Sequence, residues 1–221
     1  MQLAVMVAGL AAEIAGWSMV ATRGKNVWRL MPLVLGAMGL AAVLARPPVA
    51  AAEVSTVAAF VVGLASGLAL YVATRAFVWT ASHWEPFRLD VVRRYADAGT
   101  VSLGESLLLS LIVMVPCEEL FWRGLFQARL STTVTAGAAA AIAWGGYVAA
   151  NLASRSLPIV AGAVVGGALW AGLGWWSGGV LASAASHILW TGLMLALPPG
   201  AGLPGLRRAR RRRRNGRQMS A

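Results

Sequence analysis

Glu118, Glu119 and Arg123 carry charge inside residues 103–124, an otherwise apolar stretch that reads LGESLLLSLIVMVPCEELFWRG. A charge deep in a bilayer costs about 2–3 kcal/mol or more, and such residues usually face a bundle interior or a wet cavity and serve a function. Glu119 and Arg123 are four residues apart, in the favourable order for an ion pair on one helix face. Glu118 points roughly 100° away on the same helix and has no partner there. An unpartnered carboxylate in an apolar setting is the usual design of a general base. His187 and Thr191 are also four apart, and Asn151 follows Tyr147 by four. A carboxylate, an imidazole and an amide around one wet pocket suit attack of water on a carbonyl. The base takes a proton from water, and His187 or Asn151 supports the oxyanion. The ordinary alternative is a polar network that glues helices together.

The elements that must position these groups are membrane helices. Of the 221 residues, 58% are hydrophobic and 12% are charged, with a mean hydropathy of +0.68. Soluble domains carry about 25% charged residues, and no polar stretch here is long enough to build one. A span needs about 20 mostly apolar residues. Seven candidates appear, at 3–21, 30–45, 54–74, 103–126, 134–152, 157–176 and 180–197. The second is short enough to be re-entrant. Residues 77–100 mix aromatic and basic residues and read as an interfacial amphipathic helix before the fourth span. The expected fold is therefore all-α, a polytopic transmembrane bundle. Its parts are N-terminal helices over 1–100, site-bearing helices over 101–198 and a tail over 199–221.

Alternating the spans with the tail inside places sixteen of the nineteen Lys and Arg residues on the cytoplasmic side. Only Arg46, Arg123 and Arg129 fall outside, so the expected topology is N-out and C-in, in the cell membrane. Eight of those arginines crowd between Arg207 and Arg217. The run reads as a disordered cytoplasmic tail that fixes topology and can meet anionic lipid, with no nucleic-acid role. Cys117 is alone, so it forms no internal disulfide.

At 1.5 Å per residue, Glu118 lies roughly 17 Å and His187 roughly 14 Å below the turns at one face, and Asn151 roughly 27 Å below its own. Convergence of all three requires a late start or a tilt in the fifth span. Pro116 should kink the fourth and free carbonyls near the site. Gly63-x-x-x-Gly67, Gly162-x-x-x-Gly166 and Gly174-x-x-x-Gly178 allow close helix approach. Trp144, Trp170, Trp175, Trp176 and Trp190 read as packing or interface anchors.

The segment CEELFWRGLFQ, residues 117–127, resembles the EExxxR motif of the CPBP family (CAAX prenyl proteases and bacteriocin-processing proteins, also called Abi). Family members then carry FxxxH, which matches Tyr147 to Asn151 here. They end on a Gly-rich helix and HxxxN, which matches GGALWAGLGWWSGGVLASAASHILWT and gives His187 and Thr191. The resemblance covers roughly 101–198. It implies an intramembrane endopeptidase acting on a membrane-associated peptide or protein. It also implies Glu118 as the water-activating base, Glu119 and Arg123 as its supporting pair, and His187 as a catalytic histidine. Two positions depart from the pattern. Asn151 stands for a second His, and it can donate to an oxyanion but cannot shuttle a proton. Thr191 stands for Asn or Asp and donates one hydrogen bond. The family analogy allows zinc, but Glu118, Glu119 and His187 would hold it poorly, so no cofactor is expected.

The same departures fit a catalytically degraded member that serves as a membrane binding or regulatory protein. A third reading is an ion-coupled transporter using Glu13, Glu118 and Glu119, although the paired broken helices of such folds are missing. Glu13 alone reads more simply as a packing contact or a snorkelling side chain. Cys117 with His187 could form a thiol nucleophile pair, but Cys117 faces away from Glu118 and a buried Cys is more often inert. His83 reads as a headgroup-level residue, and Glu105 as a charge favoured at a helix start.

Overall fold

Polar side chains mark where the helices begin. Asn26 accepts from the Trp28 amide, Ser55 from Ala58, Ser102 from Glu105 and Thr135 from Ala138. Each satisfies an amide that the first turn leaves unpaired. The computed structural model describes residues 1–45, 54–98 and 100–200, and the arginine tail and Arg46 lie outside them. Among the described residues there are eight helices and no strand. They are α1 (Gln2–Arg23), α2 (Val27–Leu44), α3 (Thr56–Ala81), α4 (Glu85–Ala98), α5 (residues 103–130), α6 (Ala136–Leu152), α7 (Leu157–Ser177) and α8 (Leu181–Ala196).

This is a helical membrane bundle. The helices α1, α2, α3 and α7 are long and apolar enough to cross a membrane. Large apolar side chains such as Leu33, Leu40, Val57, Val72 and Ile112 point outward, as a lipid-facing surface requires. The second span is a regular 18-residue helix. The third runs seven residues past its expected end at Thr74. The hydroxyls of Thr74 and Thr80 bond back to Leu70 and Ala76, and this satisfies them inside the helix. The interfacial helix accordingly starts at Glu85.

The short helix α4 docks through a cap supplied in trans. Asp90 accepts from the Leu157 amide at 2.7 Å, at the first turn of α7. An anion at a helix N-terminus also complements the helix dipole. Val91 and Phe87 then bury against Val78 of α3. Tyr95 donates to the Met194 carbonyl of α8. Burial pushes the Tyr95 hydroxyl well above its ordinary value, so it stays a donor.

The core sits around the second half of α5. Phe121, Trp122 and Leu125 are fully buried against Met31, Leu35 and Met38 of α2. On the other side α3 packs directly on α8. A Cβ on Gly63 would stand 2.5 Å from the Ala182 carbonyl oxygen, and one on Gly67 2.5 Å from that of Ser186. This Gly pair therefore sets the position of α8, which carries His187. Gly67→Ala is expected to destabilise the fold by about 1–3 kcal/mol, because neither backbone can yield locally. Thermal unfolding in detergent reads this, and an unchanged Tm would refute the close packing. The Gly174-x-x-x-Gly178 expectation is corrected in part. Gly178 ends α7 in the left-handed conformation, φ 67°, so it makes a turn and not a helix contact.

Candidate active site

Pro116 lies within α5 and lacks an amide hydrogen. The helix meets this by widening. Val115 donates to the Ser110 carbonyl five residues back, and π-turns run over Leu109–Met114 and Leu120–Gln127. Between them lies one α-turn, Val115–Glu119, that carries both carboxylates. Such π-segments are frequent at functional sites. Two π-turns thus flank the turn that carries Glu118 and Glu119.

Glu119 and Arg123 form the expected pair, 3.1 Å from Nη1 to Oε1, with both side chains buried. The other guanidinium branch donates to the Gly167 carbonyl of α7 at 3.1 Å. His187 reaches the same carboxylate oxygen through Nδ1 at 2.9 Å. Facing a guanidinium, Glu119 acts as an acceptor, so Nδ1 carries a proton, and in the neutral form of the ring Nε2 is the acceptor. Trp170 fixes the ring plane. It stacks on His187 with centroids 3.5 Å apart and planes 16° apart. Trp170 is 1% exposed, so it is a buried clamp on the imidazole and not an interface anchor.

Glu118, 8% exposed, faces a cavity of about 290 Å³. Tyr147, Asn151, His187 and Thr191 line the same cavity. It extends to Val91, Arg94 and Tyr95 of α4 and to Pro158 at the start of α7. Its volume admits several waters, each of which takes about 30 Å³ in the liquid.

The three principal groups do converge, although the helical-rise arithmetic left Asn151 too deep. The helix α6 starts at Ala136, two residues later than expected, which moves Asn151 in the needed direction. Asn151 departs from its expected role in another way. Its Nδ2 donates to the Tyr147 carbonyl at 3.0 Å and to Glu13 Oε1 at 3.4 Å. Both amide hydrogens are therefore engaged, and Oδ1 is the atom left over. Thr191 lines the cavity but makes no hydrogen bond to His187 or Asn151 among the described residues.

Glu13 is the group that sequence reasoning undervalued. It is fully buried, and its second oxygen accepts from Trp122 Nε1 at 3.0 Å. It does not snorkel. A carboxylate in mid-span was the available signal, but nothing local linked it to residues more than a hundred positions away. The remaining candidates stay outside the cluster. Cys117 packs against Gly39 of α2, whose added Cβ would meet the Cys117 Cα at 2.6 Å. His83 is exposed and lies 2.9 Å from the Thr80 carbonyl. Glu105 sits in the capped first turn of α5.

Two of the donors that a zinc ion would need are already engaged. Glu119 Oε1 is shared between Arg123 and His187 Nδ1, so that oxygen and that ring nitrogen are already engaged with each other. No group of three His, Cys, Asp or Glu with metal-holding geometry occurs among the described residues. Catalytic zinc takes three protein ligands.

Residues 102–193 match the family model described as type II CAAX prenyl endopeptidase Rce1-like. The match is consistent with a CPBP-family intramembrane protease, and it spans the segment that carries Glu118, Glu119, Arg123, Asn151, His187 and Thr191. No curated protein and no solved structure matches the chain significantly.

Proposed function

We propose that the segment matched by the CAAX endopeptidase model is a glutamate-dependent intramembrane peptidase site. The observation that carries the reading is the shared cavity of Glu118 and His187. A water between the Glu118 carboxylate and His187 Nε2 gives a proton to each acceptor and turns a lone pair outward. That lone pair attacks the peptide carbonyl as Glu118 takes the proton. Arg123 and Glu119 act through His187, holding its tautomer and orientation. No cofactor is needed. The substrate is a membrane-associated peptide or protein that reaches the cavity from the α4 side. That side is cytoplasmic in the N-out, C-in topology, in which the arginine tail is cytoplasmic too, with anionic lipid as its partner.

The test is terminus mapping in native membranes. New peptide termini should appear with the wild-type chain and vanish with Glu118→Gln, which should instead retain the uncut substrate. Identical termini in both would end the assignment.

One observation favours a second reading, a scaffold that binds but does not cut. Both donors of Asn151 are engaged, and Thr191 holds nothing in place. The double variant Asn151→His, Thr191→Asn separates the two. A degraded site should gain cleavage by this change, whereas a working one should gain none.

A further inference from the structure

A peptide that enters the cavity brings carbonyls that need donors and N–H groups that need acceptors. A peptide bond open to water is not held inside an intact helix. The N–H groups beside it therefore lack helix partners, and the bilayer offers none. Unspent donors are present, since the indole N–H groups of Trp17 and Trp170, both cavity-lining residues, are buried without a hydrogen-bond partner among the described residues. The acceptor side is narrower. Glu118 and His187 are taken up by the attacking water, and the hydroxyls of Ser110, Tyr147 and Thr191 can turn to donate or accept. Asn151 Oδ1 differs from these, because it accepts only and its direction is fixed.

The Asn151 Nδ2 lies 3.0 Å from the Tyr147 carbonyl oxygen and 3.4 Å from Glu13 Oε1. Both neighbours are acceptors. Turning the amide over would set Oδ1 against two oxygens, so one orientation is favoured. Among the described residues Oδ1 is neither hydrogen-bonded nor sealed off by packed atoms, so it opens onto the cavity that Asn151 lines. Glu13 is held in turn. It is fully buried, and its Oε2 accepts from Trp122 Nε1 at 3.0 Å. The Trp122 ring is wedged among Phe121, Phe126 and Tyr147. Two N–H donors thus converge on one side chain that has two acceptor oxygens. A glutamine there has one oxygen and cannot serve both.

We propose that Glu13 is a positioning residue and Asn151 a substrate-binding residue of the site, an inference that rests on the peptidase reading above. The α1 carboxylate holds the Asn151 amide with Oδ1 in the cavity. There Oδ1 accepts a backbone N–H next to the scissile bond and sets the register of the peptide. The substrate is thus an extended segment with a free backbone N–H at one defined position. The helix α1 lies outside residues 102–193, so the matched segment does not by itself fix this acceptor.

The test uses the purified full chain in vesicles of native lipid, with a synthetic peptide that spans a cleavage site mapped in native membranes. Each backbone amide near the scissile bond, but not the scissile one, is replaced in turn by an ester. This removes one N–H with little change of shape. In the wild-type chain one ester position should raise KM about 3–10-fold, the effect of one hydrogen bond, with kcat little changed. That penalty should vanish in Asn151→Leu and in Glu13→Gln, and the unmodified peptide should bind both variants more weakly to the same extent. In Glu13→Gln the wedged Trp122 keeps the single oxygen. The new NH2 group then faces Asn151, which turns Oδ1 out of the cavity to accept from it. A merely structural role would weaken all peptides alike and leave the ester penalty in place. No sensitive position in the wild type, or a penalty that survives in Asn151→Leu, overturns the proposal and leaves the peptidase reading standing. A penalty lost in Asn151→Leu but kept in Glu13→Gln overturns the role of Glu13. The wild-type scan involves no variant, so loss of folding in either one does not spare the proposal. If the wild-type chain forms no Glu118-dependent termini, the peptidase reading fails and this inference fails with it.

Discussion

Glu118→Gln is expected to slow cleavage by about 10²–10⁴-fold, the range for loss of a general base. Its Tm should hold or rise. Gln is nearly isosteric, so the cavity keeps its shape, but the amide cannot accept the proton of the attacking water. The fold does not need the charge. Glu118 has no cationic partner of its own, because both branches of the Arg123 guanidinium are committed to Glu119 and to the Gly167 carbonyl. Removing an uncompensated buried charge relieves desolvation and leaves no partner stranded. Rates of terminus formation and thermal unfolding together check this. A variant that cuts at the wild-type rate refutes the base, and one that fails to fold refutes the claim that the charge is structurally idle.

Arg123→Ala is expected to act through stability. It strands Glu119, which is 1% exposed, and frees the Gly167 carbonyl. Breaking a buried pair by removing one partner costs about 3–5 kcal/mol. That is a large share of the total stability of a typical fold, about 5–15 kcal/mol. The His187 ring loses part of its anchor as well, since Glu119 holds Nδ1. Arg123→Lys should recover little, because one ammonium cannot serve the carboxylate and the α7 carbonyl in the planar fork that the guanidinium provides. Unfolding in detergent is the measurement. An Arg123→Ala protein with the wild-type Tm would show that the pair contributes nothing.

The two substitutions differ for a structural reason that sequence spacing already contained. Adjacent residues on a helix point in different directions, whereas residues four apart share a face. The pairing of Glu119 with Arg123 and the isolation of Glu118 follow from that alone. His187 was equally legible as a chemical group, because an imidazole in an apolar span has few other uses. Its partner was not. Nothing in the local pattern distinguishes Glu118 from Glu119 as the carboxylate it meets, and packing of α8 on α3 through Gly63 and Gly67 decides it.

Asn151 and Glu13 mark the limit of local reading. An amide seems free to support an oxyanion when only its own helix is considered. Its donors are claimed by the Tyr147 carbonyl one turn back and by a carboxylate from α1. That second contact joins residues 138 positions apart, and no spacing rule reaches so far. The helix widening at Pro116 was likewise foreseeable as a disturbance but not as two π-turns.

By itself the amino-acid order determined the solvent and the local geometry. Apolar runs of span length require an all-helical membrane bundle, since a bilayer leaves backbone groups no other partner. Charges within those runs had to be few, inward and purposeful. Which buried groups face each other was settled only by the tertiary structure. Helix rotation and depth arise from many weak packing contacts, glycine gaps and aromatic clamps summed over the whole bundle. Those sums turn His187 to Glu119 and Asn151 to Glu13.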